Sequence, residues 1–335
     1  MNCIKLPRRL FTGKHKQPQK TQKRRCPVLD LPVDLMLGIS EYLPLCSQVF
    51  LSQTCRLLRQ AFSHFRALIH IPDEERLEYL VDRVRNLPGR WLCEVCLQLH
   101  HAHVSDTPEH PGGVTCPLGW QGLRSRGYGL MSFRLDHRHV QLTLKYARMK
   151  DANNTHQQYL KALLAPVYAS FTTQSGFPNM LHTGHAVYPK VVAGRYLLLS
   201  VYTYLENHTV VTKEAMGKLR ICLHQGFAPG RTGLSRQHST GLCYTTEAAF
   251  HDLGHEKCGF CPLCLTDFSV CVTPECAIIC VWQDLGPEGS PLEPAWGTHT
   301  RAFRSRHYDV YVSHEPGSIR RFHDQGHGAI EFGSS

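Results

Sequence analysis

The residues whose types and spacing could do chemistry are cysteines and histidines. Cys93-Glu-Val-Cys96 is followed by His100, with His101 and His103 beside it and Cys116 further on. Two thiolates separated by a short turn can reach one ion, and a histidine and a further thiolate complete the four-coordinate set that zinc takes. Cys93, Cys96, His100 and Cys116 are therefore a candidate structural zinc site, with the choice among His100, His101 and His103 open. The alternative is a group of reduced structural thiols. A second set is split along the chain: Cys222-Leu-His224, then Cys258-Gly-Phe-Cys261-Pro-Leu-Cys264. Cys222, His224, Cys261 and Cys264 would make a closed site of three thiolates and one imidazole, and Cys258 could replace one of them. Buried thiols filling a core are again the alternative, and that is the reading for Cys271, Cys276 and Cys280.

The chain has 335 residues, 15 of them cysteine. No apolar run follows the first charges as a secretory leader requires, so the expected compartment is reducing and paired cysteines point to metal before disulfide. The apolar run near Tyr196–Leu205 is too short to span a bilayer. The formal net charge is +10, but nine basic residues and no acid fall in residues 1–28, leaving 28 Lys+Arg against 27 Asp+Glu in the rest. The excess is a tail rather than a basic face, so nucleic-acid binding by the folded part is not expected. The tail itself reads as a solvated arm, a nuclear-import signal around Lys23-Arg24-Arg25, or, third, a mitochondrial presequence. Nucleus and cytoplasm are the expected locations.

Catalytic readings find no footing. The phosphate-cradling G-x-x-x-x-G-K-[ST] loop, a G-x-G-x-x-G helix start and a G-x-S-x-G elbow are absent, and the 22 histidines are scattered. The Cys and His residues do not line up as the eight ordered ligands of a RING-like ligase. The protein is expected not to be an enzyme.

Several elements must position these groups. Alternation suggests strands at Val140, Leu142, Leu144 and Tyr146, at Tyr188–Val192 and Arg195–Tyr204 around an Ala193-Gly194 turn, at Phe268–Val272 and Ala277–Val281 around Thr273-Pro274-Glu275, and at Tyr308–Val312. Helices are expected at Thr155–Leu164, with Thr155 as a cap, and at Lys213–Leu219. Segments 287–294 and 315–318 read as loops. From Trp91 onward the chain is therefore an α+β domain with mostly antiparallel strands.

Upstream lies a helical segment. Pro32 suits a helix start, Asp34 complements the helix dipole, and Leu31, Leu35, Ile39 and Leu43 recur as one apolar stripe until Pro44. A second helical run covers Leu51, Cys55, Leu58 and Phe62, with Ser52 as its cap. So small a unit buries little core and needs a partner, either the rest of the chain or another protein.

Leu31-Pro32-x-Asp34-Leu35-x-x-x-Ile39-x-x-Tyr42-Leu43-Pro44, followed by Leu51-Ser-x-Thr-Cys55-Arg56-x-Leu58-Arg59, resembles the F-box in the form common in fungal F-box proteins. The resemblance covers about a tenth of the chain. It departs at Gly38, which weakens a helix by up to about 1 kcal/mol relative to Ala, and at the polar Cys46-Ser47-Gln48. It implies a trihelical F-box that docks on a Skp-type adaptor through Leu31, Pro32, Leu35, Ile39, Leu43 and Leu51, and through that adaptor a cullin, as the substrate-recruiting subunit of a cullin–RING ubiquitin ligase. A partnership with the adaptor alone is a variant of the same reading. The later stretches His139-Val-Gln-Leu, Tyr188-Pro-Lys-Val-Val, Cys264-x-x-Asp267-Phe268, Val281-Trp282-x-Asp284-Leu285-Gly286 and Pro316-Gly317-Ser318 also resemble fungal F-box proteins, without implying an activity.

The resulting organisation is a basic arm at 1–28, an F-box at 29–66, a helical linker at 67–90 and a Cys/His-containing α+β domain at 91–335 that binds an unknown protein substrate. The competing reading is a zinc-stabilised nuclear binding protein whose helical segment is internal structure.

Overall fold

The computed structural model describes residues 27–43, 45–61, 72–112, 116, 128–130, 133–149, 154–172, 181–206, 210–227, 241–300 and 311–325. Most of the basic arm therefore lies outside the described residues. The chain divides into two compact units, Met1–His70 and Ile71–Ser335.

The first unit is helical. A 3-10 turn at Pro27–Asp30 leads into α1 (Val33–Glu41), α2 (Leu45–Thr54) and α3 (Arg56–Ala61). Pro32, extended at φ −54° and ψ 144°, sits just before α1, and its carbonyl accepts from the Leu35 and Met36 N–H groups at 3.1 Å each. Met36 and Leu58 are the buried centre, with Leu31, Leu37, Leu51 and Cys55 packed around them. The run expected as one helix over 51–62 is broken at Cys55, so Ser52 lies inside α2 rather than capping a helix. Gln48, which looked too polar for its position, is buried because its Nε2 donates to the Ser40 and Leu43 carbonyls at 2.8 and 2.9 Å. It supplies partners that the last turn of α1 lacks.

The second unit is α+β, built on one six-stranded sheet. Its strands are β5 (Val167–Thr172), β6 (His182–Val192), β7 (Arg195–Leu205), β10 (Lys257–Phe260), β11 (Thr266–Val272) and β12 (Cys276–Pro287), in the order β10-β11-β12-β7-β6-β5. Every pairing in it is antiparallel. Both expected hairpins are present. Ala193 and Gly194 have φ 46° and 76°, the two positive values that a tight primed turn between twisted strands requires. Three small antiparallel pairs surround the sheet: β1 (Arg90–Cys93) with β2 (Gln98–His101), β3 (Tyr128–Leu130) with β4 (Phe133–Leu135), and β8 (Leu219–Arg220) with β9 (Gly226–Phe227).

One sheet face is covered in two halves. Val187, Tyr196 and Leu198 pack with Val140 and Leu144 of α5 (His137–Arg148) and with Trp296 of α8 (Pro294–Gly297). Phe268, Val270, Ile279 and Val281 pack with Met216, Ile221, Leu242 and Ala249, the last two on α7 (Leu242–His251). On the opposite face Leu199, Val201 and Trp282 meet Ile319 of α9 (Ser318–Asp324). The helix α4 (Asp73–Arg85) buries Leu77 and Val84 against Leu92, so it packs within this unit. The helix α6 (Asn154–Leu163) packs Tyr159 and Leu163 beside Leu142 and Tyr146.

Four expectations are corrected. Residues 140–146 are helix α5, not a strand. All of His137 to Tyr146 is buried, so the alternation of apolar and polar residues reflects satisfied polar groups rather than a solvent face. Gln141 exchanges hydrogen bonds with the Leu92 backbone, and Lys145 donates to the Leu87 and Arg90 carbonyls at 3.2 and 2.6 Å. Burial pulls the Lys145 amine down to about 8. Residues 213–219 form a turn ending in β8 rather than a helix, with Gly217 at φ 71°. Thr155 lies inside α6, which starts at Asn154. Tyr311 and Val312 are not in a strand, and the rest of that expected strand lies outside the described residues. The loops expected at 287–294 and 315–318 run into α8 and α9.

The later motif residues have structural work. Asp267 on β11 accepts from the His314 ring, from Gly317 N–H at 3.0 Å, and from Ile319 and Arg320 N–H at 2.8 and 3.1 Å. It caps α9 from a distant strand, where the helix N-terminus favours a carboxylate. Burial pushes this carboxyl up, but those donors outweigh it and hold it below its ordinary value. Gly286 has φ +100°, and a Cβ there would lie 3.0 Å from the Ala295 side chain.

The pairing at Asp267 gives a signed prediction. A carboxyl held down in the folded state stabilises above its unfolded pKa, and that stabilisation is lost as pH falls through the folded value. Asp267→Asn should cost about 2 kcal/mol at neutral pH. In urea unfolding the gap from wild type should narrow on acidification, and a pH-independent gap would show that the charge is not what matters.

Candidate functional site

The two Cys/His sets are assembled by different local structures. In the first, β1 delivers Cys93, the turn to β2 delivers Cys96, and β2 delivers His100. Trp91 pairs with His100 across the hairpin. Leu97 takes φ 53° and donates its N–H to the Cys93 carbonyl at 2.9 Å. That tight turn also aims the Val95 and Cys96 N–H groups at the Cys93 sulfur, the arrangement that stabilises a thiolate. Cys116 arrives from a distant segment and is buried with Trp91, Leu142 and Tyr146. One ligand atom from each of Cys93, Cys96, His100 and Cys116 lies within 4.8 Å of all the others, and Cys96 Sγ is 3.0 Å from His100 Nε2. Of the three histidines in question, His100 is the one in the cluster.

In the second set, Cys222 and His224 lie in the turn between β8 and β9, and Cys261 and Cys264 lie in the turn between β10 and β11. Their four ligand atoms also lie within 4.8 Å of one another. Cys222, Cys261 and Cys264 are buried at 4%, 0% and 0% exposure, and His224 holds a buried Nδ1 with no hydrogen-bond partner. Cys258 is exposed and is not a member. Cys271, Cys276 and Cys280 are half-buried on the sheet, and of these Cys280 packs against the core cluster around Trp282.

The electrostatics show what these clusters need. Burial raises Cys93, and burial with the neighbouring Cys116 and Cys93 thiols pushes Cys96 up to about 12. Burial lowers His100 and keeps it neutral, the form that binds metal. Burial likewise pushes Cys222 up to about 12. Hydrogen bonds from Cys222 and Cys264 favour the charged form of Cys261, while those same contacts and burial drive Cys264 up. Sulfurs this close and this buried oppose one another's ionisation. A divalent ion would let all three ionise. Ligands bound at about 2.0 to 2.3 Å from zinc and spread tetrahedrally lie roughly 3.3–3.8 Å apart, within the span of both clusters. With the orphaned Nδ1 and the all-thiol-and-imidazole donor sets, the residues fit a metal. Both clusters could hold one, and both are closed, with four protein ligands and no open position.

The third candidate feature is the apolar surface of α1. Leu35 is 57% exposed, Ile39 51% and Tyr42 90%, at spacing that aligns them on one helix face. Pro32 is also exposed, and Leu43 is half-buried. Leu31 and Leu51, also expected on the docking surface, are half-buried and pack around Met36 and Leu58. Tyr42, which the expected docking residues did not include, joins this row one helical turn from Ile39, a spacing the sequence itself carries. Among the described residues no helix is long and apolar enough to cross a membrane.

Metal content should follow the clusters. The full chain is expected to carry two equivalents of metal, and Cys261→Ser to carry one, as read by elemental mass spectrometry. The same variant should melt lower by roughly 2–4 °C per kcal/mol lost. Unchanged metal content in Cys261→Ser would rule out the second centre.

Comparison with known proteins adds one match. Residues 28–70 match the F-box domain family, which covers the described helices α1 to α3. No curated protein matches the sequence, and no solved structure matches it. The chain thus carries an N-terminal F-box followed by a mixed α+β domain with an antiparallel sheet and Cys/His clusters.

Proposed function

We propose that this F-box protein is the substrate-recruiting subunit of a cullin–RING ubiquitin ligase, docking to a Skp-type adaptor through its first unit and holding a protein target with its second. F-box proteins typically act as adaptors rather than enzymes, and this reading assigns the chain no catalytic residue. The observation that carries it is the row of Leu35, Ile39 and Tyr42, large apolar side chains left in water by a unit too small to cover them. Leaving them exposed is costly, and burying one against a partner returns about 1.5–3 kcal/mol.

The docking face is Pro32, Leu35, Ile39, Tyr42 and Leu43. Leu31 and Leu51 support it from within, through their contacts with Met36 and Leu58. The residue pattern from Leu31 to Arg59 resembles the form common in fungal F-box proteins, and we place the protein in that branch of the family. Both clusters are assigned structural zinc: thiolate and neutral imidazole ligands in closed four-coordinate sets favour it over harder ions. The ions would pin turns and loop segments that the sheet does not hold, leaving the second unit rigid enough to present a binding surface.

Leu35→Asp with Ile39→Asp should abolish capture of a co-expressed Skp-type adaptor by the full chain. A loss of about 4 kcal/mol corresponds to roughly a thousandfold in affinity. Tyr244→Asp, an exposed aromatic on α7 in the second unit, should leave capture unchanged. Equal capture by wild type and the double variant would refute the docking face.

A further inference from the structure

Cys243 belongs to neither metal cluster. It sits in the first turn of α7, half-buried at the edge of the main core. The Lys213 ammonium donates to its sulfur at 3.5 Å. The same ammonium forms an ion pair with Glu247, one helical turn along α7, and the Cys243 thiol reaches a Glu247 carboxylate oxygen at 3.8 Å. Thiol, amine and carboxylate thus meet at one point. Lys213 and Glu247 also line a cleft of about 240 Å³ with Val211 and Phe250, which gives a small solute access to them.

The chemistry of that grouping is particular. The thiolate is the form of a cysteine that reacts with peroxide, and at Cys243 an ammonium stands within reach of the sulfur. Cys258 also has a cation beside it, the Arg320 guanidinium at 3.6 Å. A guanidinium stays protonated and is no nucleophile. A lysine that gives up a proton is one; the Glu247 carboxylate holds Lys213 beside the sulfur, and the hydroxide released when peroxide is cleaved is base enough to take the proton.

We infer that Lys213 and Cys243 form a reversible oxidative cross-link, a peroxide-responsive site on the second unit. In the first step the Cys243 thiolate attacks hydrogen peroxide: an S–O bond forms, the O–O bond breaks, and the departing hydroxide takes a proton from the Lys213 ammonium and leaves as water. The sulfur is oxidised to a sulfenic acid and the peroxide is reduced. In the second step Lys213 is the free amine left by that proton transfer. The amine then attacks the sulfenic sulfur: an S–N bond forms, the S–O bond breaks, and the hydroxyl leaves as water. The net change is loss of one hydrogen from the thiol and one from the amine, with one peroxide converted to two waters. A thiol reductant reverses it by attacking the sulfur and freeing the amine. The link would tie the turn that carries Lys213 to α7. This goes beyond the adaptor-docking function and does not depend on it.

The test is peptide mapping of the full, metal-loaded chain after treatment with stoichiometric hydrogen peroxide. The expected product is a cross-linked peptide pair joining Lys213 to Cys243, lighter than the two peptides by two hydrogens and separated again by dithiothreitol. Lys213→Arg should retain the ion pair with Glu247 and a folded circular-dichroism spectrum, yet give no cross-link and leave Cys243 as sulfenic or sulfinic acid. Glu247→Gln should slow cross-linking several-fold. Cys258 serves as the internal control and should acquire oxygen without joining Arg320. If wild-type Cys243 accumulates oxygen like Cys258 while Lys213 stays free, or if Cys243 appears only in disulfides, the inference is overturned.

Discussion

Buried sulfur packed within a few ångströms has to be neutralised, and much of the second unit is arranged around that constraint. Cys222, Cys261 and Cys264 occupy one point with almost no solvent. Their charges can be balanced by protons, which leaves poorly bonded thiols in the interior, or by a cation, which turns the same group into a clamp. The turns that meet there are otherwise weakly held: β8 and β9 are two residues each, and β10 is four. The cluster brings the β8–β9 turn against the turn that follows β10. The C-terminal strap passes the same place, where Val312 N–H bonds the Leu263 carbonyl, and it is pinned again where Asp267 caps α9. The first cluster does the equivalent work for the β1–β2 hairpin and the distant Cys116.

The two units divide the tasks along physical lines. The second has a six-stranded sheet packed on both faces and a buried polar set in which Asp106 accepts from Arg138 at 2.7 Å, from the His139 ring at 3.2 Å and from Gly112 N–H at 2.7 Å. Such a unit can be self-sufficient. Among its described residues the first buries few apolar side chains, Met36, Val49 and Leu58, while leaving Leu35, Ile39 and Tyr42 exposed. A small helical unit with that balance gains stability by association, which is what an adaptor-docking module requires.

Much of this was legible in the sequence, and the failures have identifiable causes. The two long hairpins could be read because each had strand alternation on both sides of a turn whose residues permit it. The Cys/His clusters could be read because a Cys-x-x-Cys pair announces itself, even though Cys116 and Cys222 come from far along the chain. Helix α5 was misread because it is buried all round. Its polar residues His139, Gln141, Thr143 and Lys145 find partners inside the protein, so the period that distinguishes helix from strand was hidden. Helix α9 was missed because its cap, Asp267, comes from a strand some fifty residues earlier and leaves no local sequence mark. On α1 the apolar period gave the helix but not which leucines face inward. Leu31 and Leu51 turn toward Met36, and that follows from where α3 packs rather than from spacing.

The central claim is that the apolar row on α1 is a surface waiting for a partner. Isothermal titration calorimetry of the full chain with a purified Skp-type adaptor, run at several temperatures, tests it most directly. Saturable one-to-one binding with a clearly negative heat-capacity change is the predicted result, since that change is the mark of apolar surface leaving water. Absence of binding by the folded chain, or binding with no heat-capacity change, would contradict the account.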